Sequence, residues 1–176
     1  MRAISLWQPW ATAAALGSKR IETRHWATAY RGPLLIHAAK RCNKTEMRAY
    51  GEQSAWLNAL RLNTDCGPLW EALPLGAVVA VCNLVDCKPT ESFTAAELDA
   101  PRQRDGDKDP YTERMMGNFE PQRFGWVLDD MHPLNVPVPY KGGQSFFNVP
   151  RALVEADLIA WPGRGRFGDL LGMAHG

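Results

Sequence analysis

Gly17-Ser18-Lys19-Arg20-Ile21-Glu22-Thr23-Arg24-His25-Trp26 joins a short helix to a strand and concentrates ionisable side chains at the junction. Residues 9–16 are rich in alanine and leucine, Pro9 suits a first helical turn, and Gly17 supplies the left-handed residue that ends a helix. A strand over about 21–26 then alternates with period two. It puts Glu22 and Arg24 on one face and Ile21 and Thr23 on the other. Upstream, residues 3–6 read as a first strand, and Trp7-Gln8-Pro9-Trp10 brings two indoles and an amide to the start of the same helix. Together these parts predict a polar cleft with aromatic walls.

Around that junction, 176 residues with 45% hydrophobic content suffice for one sizeable core and leave little room for two. The expected organisation is a single domain over 1–160 followed by a glycine-rich tail over 161–176. No apolar run is long enough to cross a bilayer and the N-terminus lacks a secretory pattern, which predicts a soluble cytoplasmic protein without membrane partners. Cys42, Cys66, Cys82 and Cys87 are too few and too irregular for a disulfide framework. His25, His37, His132 and His175 make no zinc-ligand spacing, so neither a metal nor a cofactor is expected.

Net charge is only +1, yet the charges are segregated. Residues 1–48 hold nine Lys/Arg against two acids, and residues 49–120 hold six against twelve. A near-neutral total argues against a coat protein for duplexes, while a basic N-terminal third suits a nucleotide or a short single strand.

Further along, 34–38 is a compact apolar strand, 43–62 a helix, and 77–85 the strongest strand, closed by Asp86. Thr94 and Glu97 form a capping-box pair for a helix over 94–100. Residues 101–121 read as a long polar insertion with a mobile character. A strand over 124–128 follows. Val136-Pro137-Val138-Pro139 is restricted to an edge or a bulged connection, because proline cannot donate to a ladder. After a turn at 141–144 come a last strand at 145–149 and a helix over 150–159. Short strands interrupted by a few helices, without βαβ alternation, predict an α+β fold, a small partly open β-barrel with flanking helices.

Six landmarks in this order resemble the ASCH domain family of the PUA-like superfamily. They are Leu6-Trp7-Gln8-Pro9-Trp10, Gly17-x-Lys19-x-x-Glu22-x-Arg24, the segment from Gly32 to Ala39, the strand from Gly76 to Asp86, Phe124-Gly125-Trp126-Val127-Leu128, and the segment from Pro137 to Gln144. The resemblance implies a PUA-like barrel whose basic cleft is lined by the second landmark and takes RNA, single-stranded nucleic acid or a nucleoside. One branch of the family resembles an N4-acetylcytidine amidohydrolase using lysine, threonine and glutamate. Lys19 matches that lysine, whereas Glu22 stands at the threonine position. Other members resemble ribonucleases.

Lys19 and Arg24 suit recognition of phosphate or carbonyl oxygens, and Glu22 suits the amino edge of a base; the plainer reading is an ion pair closing the barrel mouth. Trp10, Trp26 and Trp126 offer stacking surfaces. Arg31, Lys40, Arg41 and Lys141 extend a basic rim. Gln8 either reads a base edge or caps the helix, and His37 is either an acid, a base or a donor to a ligand, or else a satisfied core residue. A hydrolase in the same cleft is the alternative, with Lys19, Glu22 and Asp86 as catalytic residues. A third reading is a protein-interaction module in which 101–121 orders on an unspecified protein partner.

Overall fold

The computed structural model describes residues 1–41, 73–100, 102–104, 107–109 and 112–161. The predicted helix over 43–62 and the tail beyond Trp161 lie outside the described residues.

Strands β1 (Arg2–Leu6), β2 (Ile21–Arg24), β3 (Gly32–Ala38) and β4 (Ala77–Pro89) are joined by β7 (Phe124–Pro139) and β8 (Phe146–Asn148) in one mixed sheet ordered β2-β7-β4-β3-β1-β8. The β1–β3 pairing is parallel and the others are antiparallel. A small separate hairpin pairs β5 (Arg102–Arg104) with β6 (Asp107–Asp109). Helices α1 (Trp10–Ala15), α2 (Ala95–Asp99), α3 (Glu113–Met116) and α4 (Glu155–Ala160) flank the sheet, which curls into a half-barrel. Among the described residues no helix is long and apolar enough to cross a membrane.

The curl is accompanied by irregular pairing of β4 with β7. Their pairing shifts register between Val78 and Ala80, between Val81 and Asn83, and between Leu84 and Asp86. The first shift gives β7 three extra residues, the second gives it one, and the third gives β4 one; such bulges bend a strand and increase its twist. Inside the curl, small residues of α1 (Ala11, Ala14, Ala15) pack against Leu34, Ile36, Leu84, Trp126 and Leu128. The opposite face of the sheet buries Leu35, Val78 and Val81 against Val154, Leu158 and Trp161. Because β3 is covered on both sides, all seven of its residues are buried, which explains why Leu34-Leu35-Ile36 shows no polar alternation.

Several boundaries differ from the sequence expectation: the strand expected to close at Asp86 runs on to Pro89, where it still pairs with β7. The strand starting at Ile21 stops at Arg24, because the following turn is tied by Arg31 to the carbonyls of Thr28, Tyr30 and Cys87. The strand from Phe124 continues through the proline-rich stretch to Pro139. β2 flanks only Phe124–Val127, so the prolines lie on the part of β7 that β2 leaves uncovered. There the Asn135 N–H donates to Asp157 and the Trp161 indole donates to the Asp130 carbonyl. The last helix divides into a 3₁₀ turn, Arg151–Leu153, and α4.

Residues 112–121 are part of the structured body. Glu113 of α3 is fully buried, and its carboxylate accepts the backbone N–H groups of Arg20 (2.7 Å) and Ile21 (3.0 Å).

Candidate functional site

Gly17 adopts φ +76° and closes α1, with its N–H on the Ala14 carbonyl. The chain then turns back so that the Lys19 N–H reaches the Ala13 carbonyl, and β2 starts two residues later. This short reversal aims Lys19, Glu22 and Arg24 into a cavity of about 340 Å³ between β1, α1, β2 and α3. Trp7, Trp10 and Met115 supply apolar walls, and Thr23, Gly117 and Asn118 complete the α3 side.

Lys19 is only 1% exposed. Its ammonium donates to the carbonyls of Ile21 and Met116 (3.0 Å) and lies 3.4 Å from a Glu22 oxygen. An ammonium has three donors, and these three acceptors occupy them. The second Glu22 oxygen lies 3.3 Å from Arg24 Nε, and Arg24 Nη2 donates to the Ser5 carbonyl at 2.7 Å. The floor of the cavity is therefore a chain of alternating charge, Lys19 to Glu22 to Arg24, fixed at both ends by backbone carbonyls. The Thr23 hydroxyl, on the α3 side of the same cavity, accepts the Asn118 N–H.

A second, larger groove of about 840 Å³ opens on the other side of Trp7. Lys40, Arg41 and Lys141 line it, and His37 forms its floor. His37 is 1% exposed, with Nε2 3.0 Å from the Tyr140 carbonyl and Nδ1 3.0 Å from Ser5 Oγ. Since a carbonyl only accepts, Nε2 carries the proton and Ser5 donates to Nδ1. Burial pushes the imidazole pKa below its ordinary value, opposed in part by the Tyr140 hydrogen bond.

The structure thus divides the residues singled out in the sequence. Trp10, Lys19, Glu22 and Arg24 meet in the first cavity; His37, Lys40 and Lys141 meet in the second groove. Gln8 is buried: its amide donates to the Pro74 carbonyl and accepts the Thr12 N–H, so it holds α1 and has no edge free for a base. Trp126 is fully buried, donates to the Trp26 carbonyl and meets the Trp26 ring edge-on at 4.5 Å, which removes it as a stacking platform. Trp26 packs on the same cluster, outside both cavities. Asp86 pairs with Arg31 at 3.0 Å and lines neither cavity, so it is not the second carboxylate for Lys19.

Sequence reasoning passed over Trp7, Ser5, Glu113 and Asn118. Trp7 was visible as one of two indoles at the helix start, and at 49% exposure it is the freer of the pair. Glu113 and Asn118 had no local signal, since both come from a polar stretch that reaches the site only through the tertiary fold. Among the described residues, no group of three or more His, Cys, Asp or Glu gathers to hold a metal.

The ASCH domain matches residues 4–129, and the chain belongs to the ASCH domain family. Among solved structures it is similar to the crystal structure of the ASCH protein from Zymomonas mobilis. The identity is 15% and the TM-score 0.47, over 90% of this chain and 93% of that one. A point mutant of that protein gives 14% identity and a TM-score of 0.48, over 90% and 96%. The search of curated proteins found no match.

Proposed function

We propose that this protein binds RNA, a nucleotide or a modified nucleoside, with one base held in the cavity between Trp10, Trp7 and the Glu22–Arg24 pair. The observation that carries this reading is the pairing of a carboxylate and a guanidinium on the floor of an aromatic-walled cavity of about 340 Å³. A base needs a flat apolar contact on its faces and both an acceptor and a donor at its edge. Trp7 and Trp10 offer the first, Glu22 and Arg24 the second. Lys19 acts as a positioning residue that fixes the Glu22 rotamer. Membership of a PUA-like family associated with RNA supports the same class of ligand.

Hydrolysis draws less support. The Lys19 ammonium is occupied by two carbonyls and Glu22, Asp86 lies elsewhere, and Glu113 already accepts two backbone N–H groups. Glu22, the remaining candidate, lies between Lys19 and Arg24, an arrangement that suits accepting a hydrogen from a base's amino edge better than taking a proton from water.

Isothermal titration with the four ribonucleosides, N4-acetylcytidine and short RNAs tests the reading. The wild type is expected to bind at least one of them. Arg24→Ala and Glu22→Gln are each expected to weaken it by about 1.5–3 kcal/mol, the range for a charge-assisted hydrogen bond. Equal binding by wild type and both variants would overturn the assignment.

A further inference from the structure

The two cavities are contiguous: Ser5 and Trp7 line both, and the half-exposed Trp7 indole forms the ridge between them. Their charge differs. The first contains Glu22 between two cations, whereas the groove presents Lys40, Arg41 and Lys141 with no carboxylate among its lining residues. All three side chains are exposed, and none has an ion-pair partner among the described residues. A cluster of cations without ion-pair partners among the described residues, beside an aromatic ridge, matches the two repeating parts of a single strand, its phosphates and its bases.

One wall of the groove is backbone packed closely on its floor. A Cβ on Gly142 would lie 2.5 Å from His37 Cε1 and 2.7 Å from Ser5 Oγ. The turn over 140–143 therefore lies directly against the buried imidazole, anchored by the Tyr140 carbonyl on Nε2. Lys141, carried by that turn, lines the groove together with Lys40 and Arg41.

We infer that the groove is a second subsite for single-stranded RNA. The strand crosses Trp7 from the first cavity, and the phosphates flanking the captured base lie on Lys40, Arg41 and Lys141. This rests on the base-binding reading above and extends it from a nucleoside to a strand of several nucleotides. The first cavity recognises; the groove adds affinity that is strongly salt-dependent and indifferent to sequence.

The test is a titration of wild type and a Lys40→Glu/Lys141→Glu variant with the best-bound ribonucleoside and with a ten-nucleotide RNA containing that base, at several salt concentrations. The wild type is expected to bind the decamer more tightly than the nucleoside. The variant is expected to bind the decamer about tenfold or more weakly, with a log–log salt slope reduced by about 1.4, since each phosphate contact on a single strand contributes about 0.7. Its nucleoside affinity is expected to be unchanged. A decamer affinity and salt slope equal in wild type and variant would overturn the subsite while leaving nucleoside binding intact. A blunt duplex competing as well as the decamer would overturn the single-strand assignment. A wild type that binds neither probe would overturn both the subsite and the reading beneath it.

Discussion

Glu113 shows most sharply how one side chain positions this site from a distance in sequence. Both of its carboxylate oxygens accept main-chain N–H groups, of Arg20 and Ile21, at the point where the chain leaves the turn after α1 and enters β2. Lys19 precedes that point and Glu22 follows it, so the carboxylate fixes the backbone from which both project. Removing it leaves the buried Ile21 N–H and the part-buried Arg20 N–H without their partner, a fully buried unmet donor costing about 1–3 kcal/mol. Glu113→Ala is expected to lower unfolding stability by about 2–4 kcal/mol in urea titration and to weaken nucleoside binding through lost positioning. A change below about 0.5 kcal/mol would contradict this role. Lys19 itself was legible from its motif; its burial was not, because nothing local reveals that the Met116 carbonyl, nearly a hundred residues away, closes over the ammonium.

At the scale of elements, much of the architecture could be read directly. The Thr94–Glu97 capping box forms with both reciprocal hydrogen bonds, and Gly17 ends α1 with the positive φ its position required. Period-two alternation put Glu22 and Arg24 on the cavity side of β2. The misreading of β7 as two pieces has an identifiable reason: proline excludes a ladder only where its missing N–H is needed, and the sequence does not show which strand edge is uncovered. The joint between β1, β3 and the turn at 140–143 is equally non-local. There the buried His37 accepts from Ser5 and donates to the Tyr140 carbonyl, with the Phe147 ring edge-on at 5.5 Å. Its pKa in the folded protein lies below the ordinary 6.5. The unfolded chain therefore takes up a proton near pH 6.5 and the folded chain only at lower pH, so this joint contributes fully above pH 6.5 and loses its contribution as pH falls below it. Urea titrations between pH 7.5 and 5 are expected to show stability falling on acidification. His37→Gln is expected to remove part of that slope, and an unchanged slope would contradict the assignment.

Across the whole molecule, the segregation of charge along the chain becomes a segregation in space. In the acidic middle, Asp86, Glu97 and Asp99 are paired with Arg31, Lys88 and Arg114. The basic N-terminal third instead contributes Lys19 and Arg24 to the cavity and Lys40 and Arg41 to the groove, with Lys141 joining from the far turn. Composition anticipated this imbalance, while only the curl of the sheet brings residues 5–41 and 115–144 around two adjoining openings. The central claim is that a base enters between Trp7 and Trp10 above the Glu22–Arg24 pair. Two-dimensional ¹⁵N NMR at saturating nucleoside tests it most directly, because it reports position as well as binding. The predicted result is shift changes in the Trp7 and Trp10 indoles and in the amides of Glu22, Arg24 and Asn118, with the Trp26 and Trp126 indoles unmoved. Changes confined to Trp26, Trp126 and Arg31, or none at all, would contradict it.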